Sequence, residues 1–254
     1  MPNIDWNASD YQKNFSFVPS YGESVMSLLT KPAGAFVVDL GCGNGSLTPK
    51  LAEKGYRVLG IDDSDTMLAL AKVNHPEQTF RKGNAINFQL EEKADAIFSN
   101  AVLHWIDAKD QQELLNNLVQ QILPGGEFVC EFGGYGNAEK VHSTLEQCFR
   151  ERGLAYPRVF FFPTIGQYAP MLEKAGFRVE YATLFDRPTV QVGPDGLANW
   201  IRMFVKEPFR EVPEPVQDEI IQETVRRLRG TLWDGDHWSV DYVRIRFRAV
   251  RPED

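Results

Sequence analysis

Short apolar runs alternate with amphipathic segments through the first half of the chain, and glycine, proline or polar residues bound each run. Runs of this kind are typical of strands buried on both faces of a parallel sheet, whereas the segments between them repeat apolar residues at helical spacing. The predicted strands are 36–40, 57–61, 79–82, 95–99 and 126–132, and the predicted helices are 46–54, 64–74 and 109–123. The alternation predicts an α/β fold, in which helices cover a parallel sheet.

The second half of the chain is less regular. Helices are predicted at 137–152, 165–175, 193–204 and 214–228, and a strand at 177–184 that residues 187–191 extend. Residues 238–250 are predicted to form one long closing strand. In it Arg244, Arg246 and Arg248 alternate with Ile245 and Phe247. We therefore expect the arginine side of this strand to be a solvated sheet face or edge.

Composition limits the class of protein. A chain of 254 residues with 43% hydrophobic content can bury the core of one α/β domain with a small cap. The net charge of −8 argues against a nucleic-acid partner, because no basic surplus is available to neutralise phosphates. Three cysteines without metal-ligand spacing, no signal peptide and no apolar run of about 18 residues predict a soluble, cytoplasmic protein that does not span a membrane.

The most informative segment joins the first predicted strand to the first predicted helix. Its glycines fit part of the dinucleotide pattern G-x-G-x-x-G, with Gly41 and Gly43 in place and Ser46 at the sixth position. They also fit D-x-G-x-G-x-G, the loop that binds S-adenosylmethionine (SAM). An acid before the first glycine would repel a pyrophosphate, whereas Asp39 can hold the ammonium of SAM. We predict SAM, and keep as alternatives an NAD(P)-dependent oxidoreductase and a catalytically silent SAM-binding protein.

Further motifs lie at the ends of the first four predicted strands and at the start of the fifth. They are D-L-G-C-G-N-G at 39–45, G-I-D-D-S at 60–64 with Met67-Leu68, G-N-A at 83–85, S-N-A-V-L-H-W at 99–105 and L-P-G-G at 123–126. With these motifs the chain resembles the class I SAM-dependent methyltransferases, in the small-molecule branch that includes the trans-aconitate methyltransferases. The resemblance covers about residues 5–135, and S-N-A-x-L-H-W is its most specific part.

This resemblance implies a Rossmann-like, seven-stranded, mostly parallel sheet with helical cap elements. It implies a single methyltransferase domain with an N-terminal lid at about 5–30, a SAM-binding core at about 34–135, and a substrate cap with closing strands at about 136–254. The cofactor is SAM, the product is S-adenosylhomocysteine and no metal is needed. The acceptor is a small molecule, with a carboxylate oxygen as one candidate methylation site, and the protein is a monomer or homodimer.

The cofactor site is expected at the carboxyl ends of the first four strands. Asp62 can accept both ribose hydroxyls, while Ser64 serves better as the cap of the following helix. Met67 is expected against the adenine or in the core, and Asn84 either accepts the adenine amino group or forms a turn. Asn100 contacts the cofactor through its backbone. The full predicted set is Asp39, Gly41, Cys42, Gly43, Asp62, Asp63, Met67, Asn84, Ala85, Asn100 and Ala101.

The acceptor site is expected beside His104. This histidine would donate a hydrogen bond to a carboxylate acceptor, take a proton from a phenol, hydroxyl or amine, or serve only as a packed structural residue. Trp105 is expected in the wall of the acceptor pocket or in the core. Aromatic residues at 6–21 are expected either to form a lid or to anchor the core. The predicted acceptor set is His104, Trp105, Tyr21, Tyr135 and Trp200.

Overall fold

A computed structural model describes Gly22 and residues 24–253. The strands are β1 (Phe36–Leu40), β2 (Arg57–Asp62), β3 (Thr79–Lys82), β4 (Ala94–Asn100), β5 (Ile122–Gly133), β6 (Arg178–Asp186), β7 (Thr189–Gln191), β8 (Trp238–Val240) and β9 (Val243–Val250). The helices are α1 (Thr48–Glu53), α2 (Asp65–Asn74), α3 (Gln111–Gln121), α4 (Glu139–Arg150), α5 (Ile165–Ala175), α6 (Gly196–Phe204) and α7 (Glu214–Leu232). Tyr21 and the other aromatic residues of the predicted lid lie outside the described residues.

Seven strands form one sheet in the order β3-β2-β1-β4-β5-β9-β6. The pairs among β1 to β5 are parallel, and β9 runs antiparallel to both β5 and β6. The seven-stranded, mostly parallel sheet is therefore confirmed. Because the chain builds outward from β1 to β3 and then returns to place β4 on the other side of β1, the carboxyl ends of β1 and β4 flank a crevice. In open α/β sheets ligands bind at such a reversal of strand order.

Two apolar clusters explain how the elements pack. The larger cluster lies between one face of the sheet and helices α3 and α5, and it includes Phe128, Phe132, Tyr168 and Phe247. A second cluster joins α4, α6 and α7 to strand β8. Strands β7 and β8 form a separate two-stranded sheet beside these helices. We call α4, α6, α7, β7 and β8 the cap, because they pack together outside the seven-stranded sheet.

The predicted closing strand is wrong as one element. Residues 238–250 divide into β8 and β9, and residues 189–191 form β7, which pairs with β8 rather than extending β6. The break falls at Asp241 and Tyr242, whose carbonyls accept hydrogen bonds from the backbone N–H groups of Ala138 (2.9 Å) and Arg187 (2.7 Å). Backbone groups used in this way are not available to continue a ladder with β5 or β6.

The prediction of a solvated arginine face is also wrong. Strand β9 lies inside the sheet between β5 and β6, so it is not an edge. Its arginines lie over two buried glutamates of β5: Arg244 and Arg246 pair with Glu131, and Arg248 pairs with Glu127. The Arg244 side chain is only 7% exposed. These side chains form a buried ion-pair network.

Candidate cofactor and acceptor site

The glycine-rich turn after β1 is held tightly against neighbouring strands. The backbone N–H groups of Gly41 and Cys42 both donate to the Ile61 carbonyl, at 2.7 and 3.1 Å. Gly41 has a φ of +74°, and a Cβ there would lie 2.2 Å from Cγ2 of Val102. The turn therefore requires glycine at this position. Burial raises the pKa of the Cys42 thiol far above its usual range, which fits a small turn residue rather than a nucleophile.

Asp39 is a buried carboxylate at the end of β1. Its Oδ2 accepts a 2.7 Å hydrogen bond from Oγ1 of Thr48 at the start of α1. Burial, with a contribution from the nearby Asp62, raises the pKa of Asp39 to about 7 despite that hydrogen bond. A desolvated carboxylate is stabilised by a positively charged partner. The site therefore has the acidic group that a cationic ligand would need.

Asp62, at the end of β2, accepts hydrogen bonds both from the glycine-rich turn and from the start of α2. Its Oδ2 accepts from the N–H of Gly43 and its Oδ1 from the N–H of Ser64, both at 2.9 Å. Ser64 in turn caps α2 by accepting from the Met67 N–H at 3.3 Å, as predicted. Each Asp62 oxygen has lone-pair capacity beyond its one amide bond, so the carboxylate can still accept hydroxyl groups from a ligand.

Asn84, after β3, lies beside the aspartates that follow β2. Its Nδ2 donates to Oδ2 of Asp63 at 3.0 Å, and its Oδ1 accepts from the Ile86 N–H at 2.9 Å. The contact with the Ile86 N–H closes a turn at Asn84, which is one of the two roles predicted for this residue. Met67 and Ala85 are buried nearby. The Met67 methyl group would be 3.6 Å from a Cβ on Gly43, so this side chain borders the turn.

Asn100 and Ala101 end β4 on the opposite side of the crevice. Oδ1 of Asn100 is buried and has no hydrogen-bond partner within the described part of the chain. Ala101 adopts a left-handed φ of +61°, unusual for a residue with a Cβ. Its N–H donates to the Glu131 carbonyl at 2.7 Å, and its carbonyl accepts from Nε1 of Trp105 at 3.1 Å. Tertiary contacts thus hold a strained backbone at the crevice, a feature typical of binding sites.

His104 is held in one tautomer. Its Nδ1 accepts a 3.2 Å hydrogen bond from the buried N–H of Gly133, at the end of β5. In a neutral imidazole the other nitrogen then carries the proton, so Nε2 is a donor. Burial, followed by the positive charge of Arg244, lowers the pKa of His104 well below its usual value. The ring is therefore neutral.

A cluster of arginines surrounds Glu131, and it includes Arg244, whose charge acts on His104. Three guanidinium groups, from Arg187, Arg244 and Arg246, pair with the one carboxylate of Glu131. Glu131 is also the β5 residue that pairs in register with Asn100 of β4, which places the cluster next to the crevice. Sequence reasoning missed this network. Its signals were the alternating arginines of residues 244–248, which were assigned to solvent, and the two glutamates, Glu127 and Glu131, in an otherwise apolar strand.

Of the remaining predicted acceptor residues that the structure describes, only Trp105 has a ring contact with His104. Trp105 is half-buried with its ring 5.0 Å from that of His104. Trp200 is buried in the cap, where its Nε1 donates to the Tyr242 hydroxyl at 2.6 Å. Tyr135 is 65% exposed and makes no ring contact with these residues within the described ranges. Sequence reasoning missed the aromatic residues between α4 and α5, because an irregular segment carries no periodic signal.

Two features are absent from the described residues, a metal-binding cluster and a membrane-spanning helix. No group of three histidine, cysteine, aspartate or glutamate side chains in that part of the chain is placed to hold a metal ion. No helix among those residues is long and apolar enough to cross a membrane.

Comparison with known proteins identifies the family. Residues 38–130 match the model of a methyltransferase domain. An uncharacterized methyltransferase of Schizosaccharomyces pombe, C70.08c, is 32% identical over 98% of this chain and 99% of its own length. The trans-aconitate 2-methyltransferase of Escherichia coli is 34% identical over 69% of each chain.

A solved structure shows the same fold. Phosphoethanolamine N-methyltransferase 2 of Haemonchus contortus, in complex with phosphomonomethylethanolamine and S-adenosylhomocysteine, superposes with a TM-score of 0.57. It is 18% identical and covers 92% of this chain and 52% of its own. Together with the strand order and the turn after β1, these similarities show that the chain belongs to the class I SAM-dependent methyltransferases, with trans-aconitate methyltransferases among its homologues.

Proposed function

We propose that this methyltransferase transfers the methyl group of SAM to a carboxylate oxygen of a small-molecule acid. The observation that carries the proposal is the fixed tautomer of His104. Because Nδ1 is occupied by the Gly133 N–H, the ring offers a donor, Nε2–H, and no free base. A phenol, alcohol or ammonium acceptor must lose a proton, whereas a carboxylate is already ionised at neutral pH. The histidine therefore suits an anionic acceptor.

The residues at the crevice fit the cofactor. Asp39 would pair with the ammonium group of SAM, and the unpartnered Oδ1 of Asn100 would accept a further N–H. Asp62 would accept the ribose hydroxyls with the lone pairs that its two backbone bonds leave free. SAM supplies a methyl group attached to a positively charged sulfur, which needs no further activation. The protein's task is to orient the acceptor and to exclude water.

The charges beside His104 suit the same acceptor. The described residues of this cluster contribute three guanidinium groups and one carboxylate, a local surplus of positive charge in a chain whose net charge is −8. An acceptor carboxylate oxygen would form the new O–CH₃ bond as the S–CH₃ bond breaks, and the sulfur would keep the electron pair. No proton moves. The names of the trans-aconitate 2-methyltransferase homologues agree with an acidic acceptor.

Two substitutions of His104 test whether its ring acts as a hydrogen-bond donor or as a base. We expect His104→Gln, which keeps an N–H donor, to retain most of the activity, and His104→Leu to lower kcat/KM about 10- to 100-fold, because a hydrogen bond to a charged group is lost. The assay measures transfer of labelled methyl from SAM to trans-aconitate, citrate and trans-cinnamate.

Binding of S-adenosylhomocysteine, measured by calorimetry, checks that both variants keep an intact crevice. With saturating SAM, kcat of the wild type should be independent of pH between 6 and 8, since no proton is removed. The proposal is wrong if these acids are inert while a phenol or amine is methylated, or if kcat rises with a pKa in that range.

Asp62→Ala tests the cofactor assignment. The change removes the expected ribose contacts and leaves the N–H groups of Gly43 and Ser64 without their acceptor, so we expect S-adenosylhomocysteine to bind about 100-fold more weakly or worse. Asp65→Ala, at an exposed aspartate of α2 outside the predicted cofactor set, should have a much smaller effect. Equal losses in both variants, or unchanged affinity in Asp62→Ala, would contradict the assignment.

A further inference from the structure

Three half-buried aromatic side chains form a group next to His104. Phe160 and Phe162 come from the segment between α4 and α5, and their rings stack with centroids 5.4 Å apart and planes 8° from parallel. Phe162 lies 5.8 Å from the ring of His104, and Phe160 lies 5.0 Å from the ring of Trp105. We call Trp105, Phe160 and Phe162 the aromatic wall.

The segment that carries Phe160 and Phe162 contacts the same backbone that positions His104. The N–H of Phe161, between the two stacked residues, donates to the His104 carbonyl at 3.1 Å. A Cβ on Gly133 would lie 2.5 Å from Cε1 of Phe162, so Phe162 packs on the residue whose N–H holds Nδ1 of His104. Phe162 therefore contacts both the ring of His104 and the residue that fixes its tautomer.

Beside the two stacked rings lies a buried nitrogen atom, Nε2 of His142, that has no partner in the described part of the chain. The ring of His142, on α4, is 5.2 Å from Phe160 and 6.0 Å from Phe162. Its Nδ1 is 2.7 Å from the hydroxyl of Tyr156, but its Nε2 is buried and has no hydrogen-bond partner within the described residues. Such a group normally costs stability. Burial, followed by the positive charge of Arg158, lowers the pKa of His142 to about 3, so the ring is neutral.

We propose that the acceptor is a planar aromatic or conjugated carboxylic acid with a neutral polar group at its far end. The carboxylate would lie at His104 and Arg244, the planar body on the aromatic wall, and the polar group at Nε2 of His142. This inference rests on the proposed function, since it names the class of acid that the same site methylates. An acid with several carboxylates would place a second charge against apolar rings, and the guanidinium whose charge reaches His142, that of Arg158, is already paired with Glu139 and Glu146.

Binding of matched acids tests the proposal. The protein is saturated with S-adenosylhomocysteine, and calorimetry measures the affinities of trans-cinnamate, 4-hydroxycinnamate, 3-cyclohexylpropanoate and trans-aconitate. We expect trans-cinnamate to bind about 3- to 10-fold more tightly than the cyclohexyl acid, because stacking on aromatic rings favours a flat body. We expect 4-hydroxycinnamate to bind more tightly still, by about 5-fold, through its hydroxyl. Trans-aconitate should bind more weakly than both cinnamates.

Leucine substitutions show which side chains cause the preference for a planar acid. Phe160→Leu and Phe162→Leu should remove the preference for trans-cinnamate over the cyclohexyl acid. Phe161→Leu is the matched control, because Phe161 lies in the same segment but packs towards Tyr168 and the sheet core. His142→Phe should abolish the gain from the hydroxyl group. Unchanged affinity for S-adenosylhomocysteine shows that a variant is folded.

The outcomes separate this inference from the proposed function. If trans-aconitate is bound and methylated while neither cinnamate binds, the proposed function stands and the planar acceptor is wrong. If S-adenosylhomocysteine binds and none of the acids does, both are wrong. If Phe161→Leu changes the preference as much as the two wall variants do, the wall does not hold the acceptor.

Discussion

Replacing Glu131 with glutamine should destabilise the protein by about 3–5 kcal/mol, because it leaves three largely buried guanidinium groups without their shared carboxylate. The Glu131 side chain has no exposed surface, and the Arg187, Arg244 and Arg246 side chains are at most 15% exposed. Burial opposes ionisation of Glu131, but the three arginines outweigh it and hold its pKa below the usual value. Urea unfolding followed by far-UV circular dichroism measures the loss.

Glu127→Gln is the matched control. Glu127 is also buried in β5, but it pairs with one arginine, Arg248, which a second carboxylate, from Glu180, also contacts. We therefore expect a clearly smaller loss. Because the pKa of Glu131 is depressed, its contribution is present above the unfolded-state pKa of about 4.3 and is lost as the pH falls below it. A loss in Glu131→Gln no greater than in Glu127→Gln would show that the arginines do not depend on Glu131.

Replacing Asp39 with asparagine should stabilise the free protein and weaken cofactor binding. Folding raises the pKa of Asp39 from 3.8 to about 7, so the folded state favours the protonated form. Its contribution to stability is therefore lost as the pH rises from about 4 to 7, and above pH 7 the charged side chain costs up to about 4 kcal/mol. Asparagine removes that cost and can still accept the hydroxyl hydrogen bond of Thr48. Thermal unfolding at pH 8 measures the gain.

The same substitution should weaken SAM binding about 10- to 150-fold, because the expected charge-assisted bond to the ammonium group is lost. In the wild type, SAM affinity should fall as the pH drops below about 7, because protonated Asp39 must lose its proton to pair with a cation. In Asp39→Asn this dependence should disappear. Calorimetry between pH 5.5 and 8.5 measures both effects.

Asp241→Asn is the control for Asp39→Asn. Asp241 is an aspartate of the cap whose pKa burial also raises, and it lies in the segment between β8 and β9 rather than at the crevice. We expect this change to leave SAM affinity unaltered. Full SAM affinity in Asp39→Asn, or an unchanged pH dependence, would contradict the role assigned to Asp39.

Local sequence was sufficient for the first four strands and for the turn that follows β1. The bounds of β1 and β3 agree with the prediction, β2 is one residue longer at its end, and β4 is one residue longer at each end. Strand β5 begins at Ile122 rather than at residue 126, so the last two residues of the predicted helix 109–123 and the L-P-G-G motif belong to this strand. These elements are specified by neighbours in the sequence: apolar runs, a helix cap at Ser64, and glycines that adopt positive φ at the turn. Recognition of the family followed from the same short motifs, because four of them lie at the end of a predicted strand and L-P-G-G leads into the fifth strand.

Only the tertiary structure decided what surrounds His104. Nothing in the pattern of β9 shows that its arginines face two glutamates of β5, because the contact between Arg244 and Glu131 joins residues 113 positions apart. The tautomer of His104 likewise depends on the N–H of Gly133, and the aromatic wall depends on an irregular segment after α4. The periodicity of apolar residues shows which face of one strand or helix is buried. Which charged side chains pair, and which histidine nitrogen carries the proton, depends on the distant elements that pack against that face.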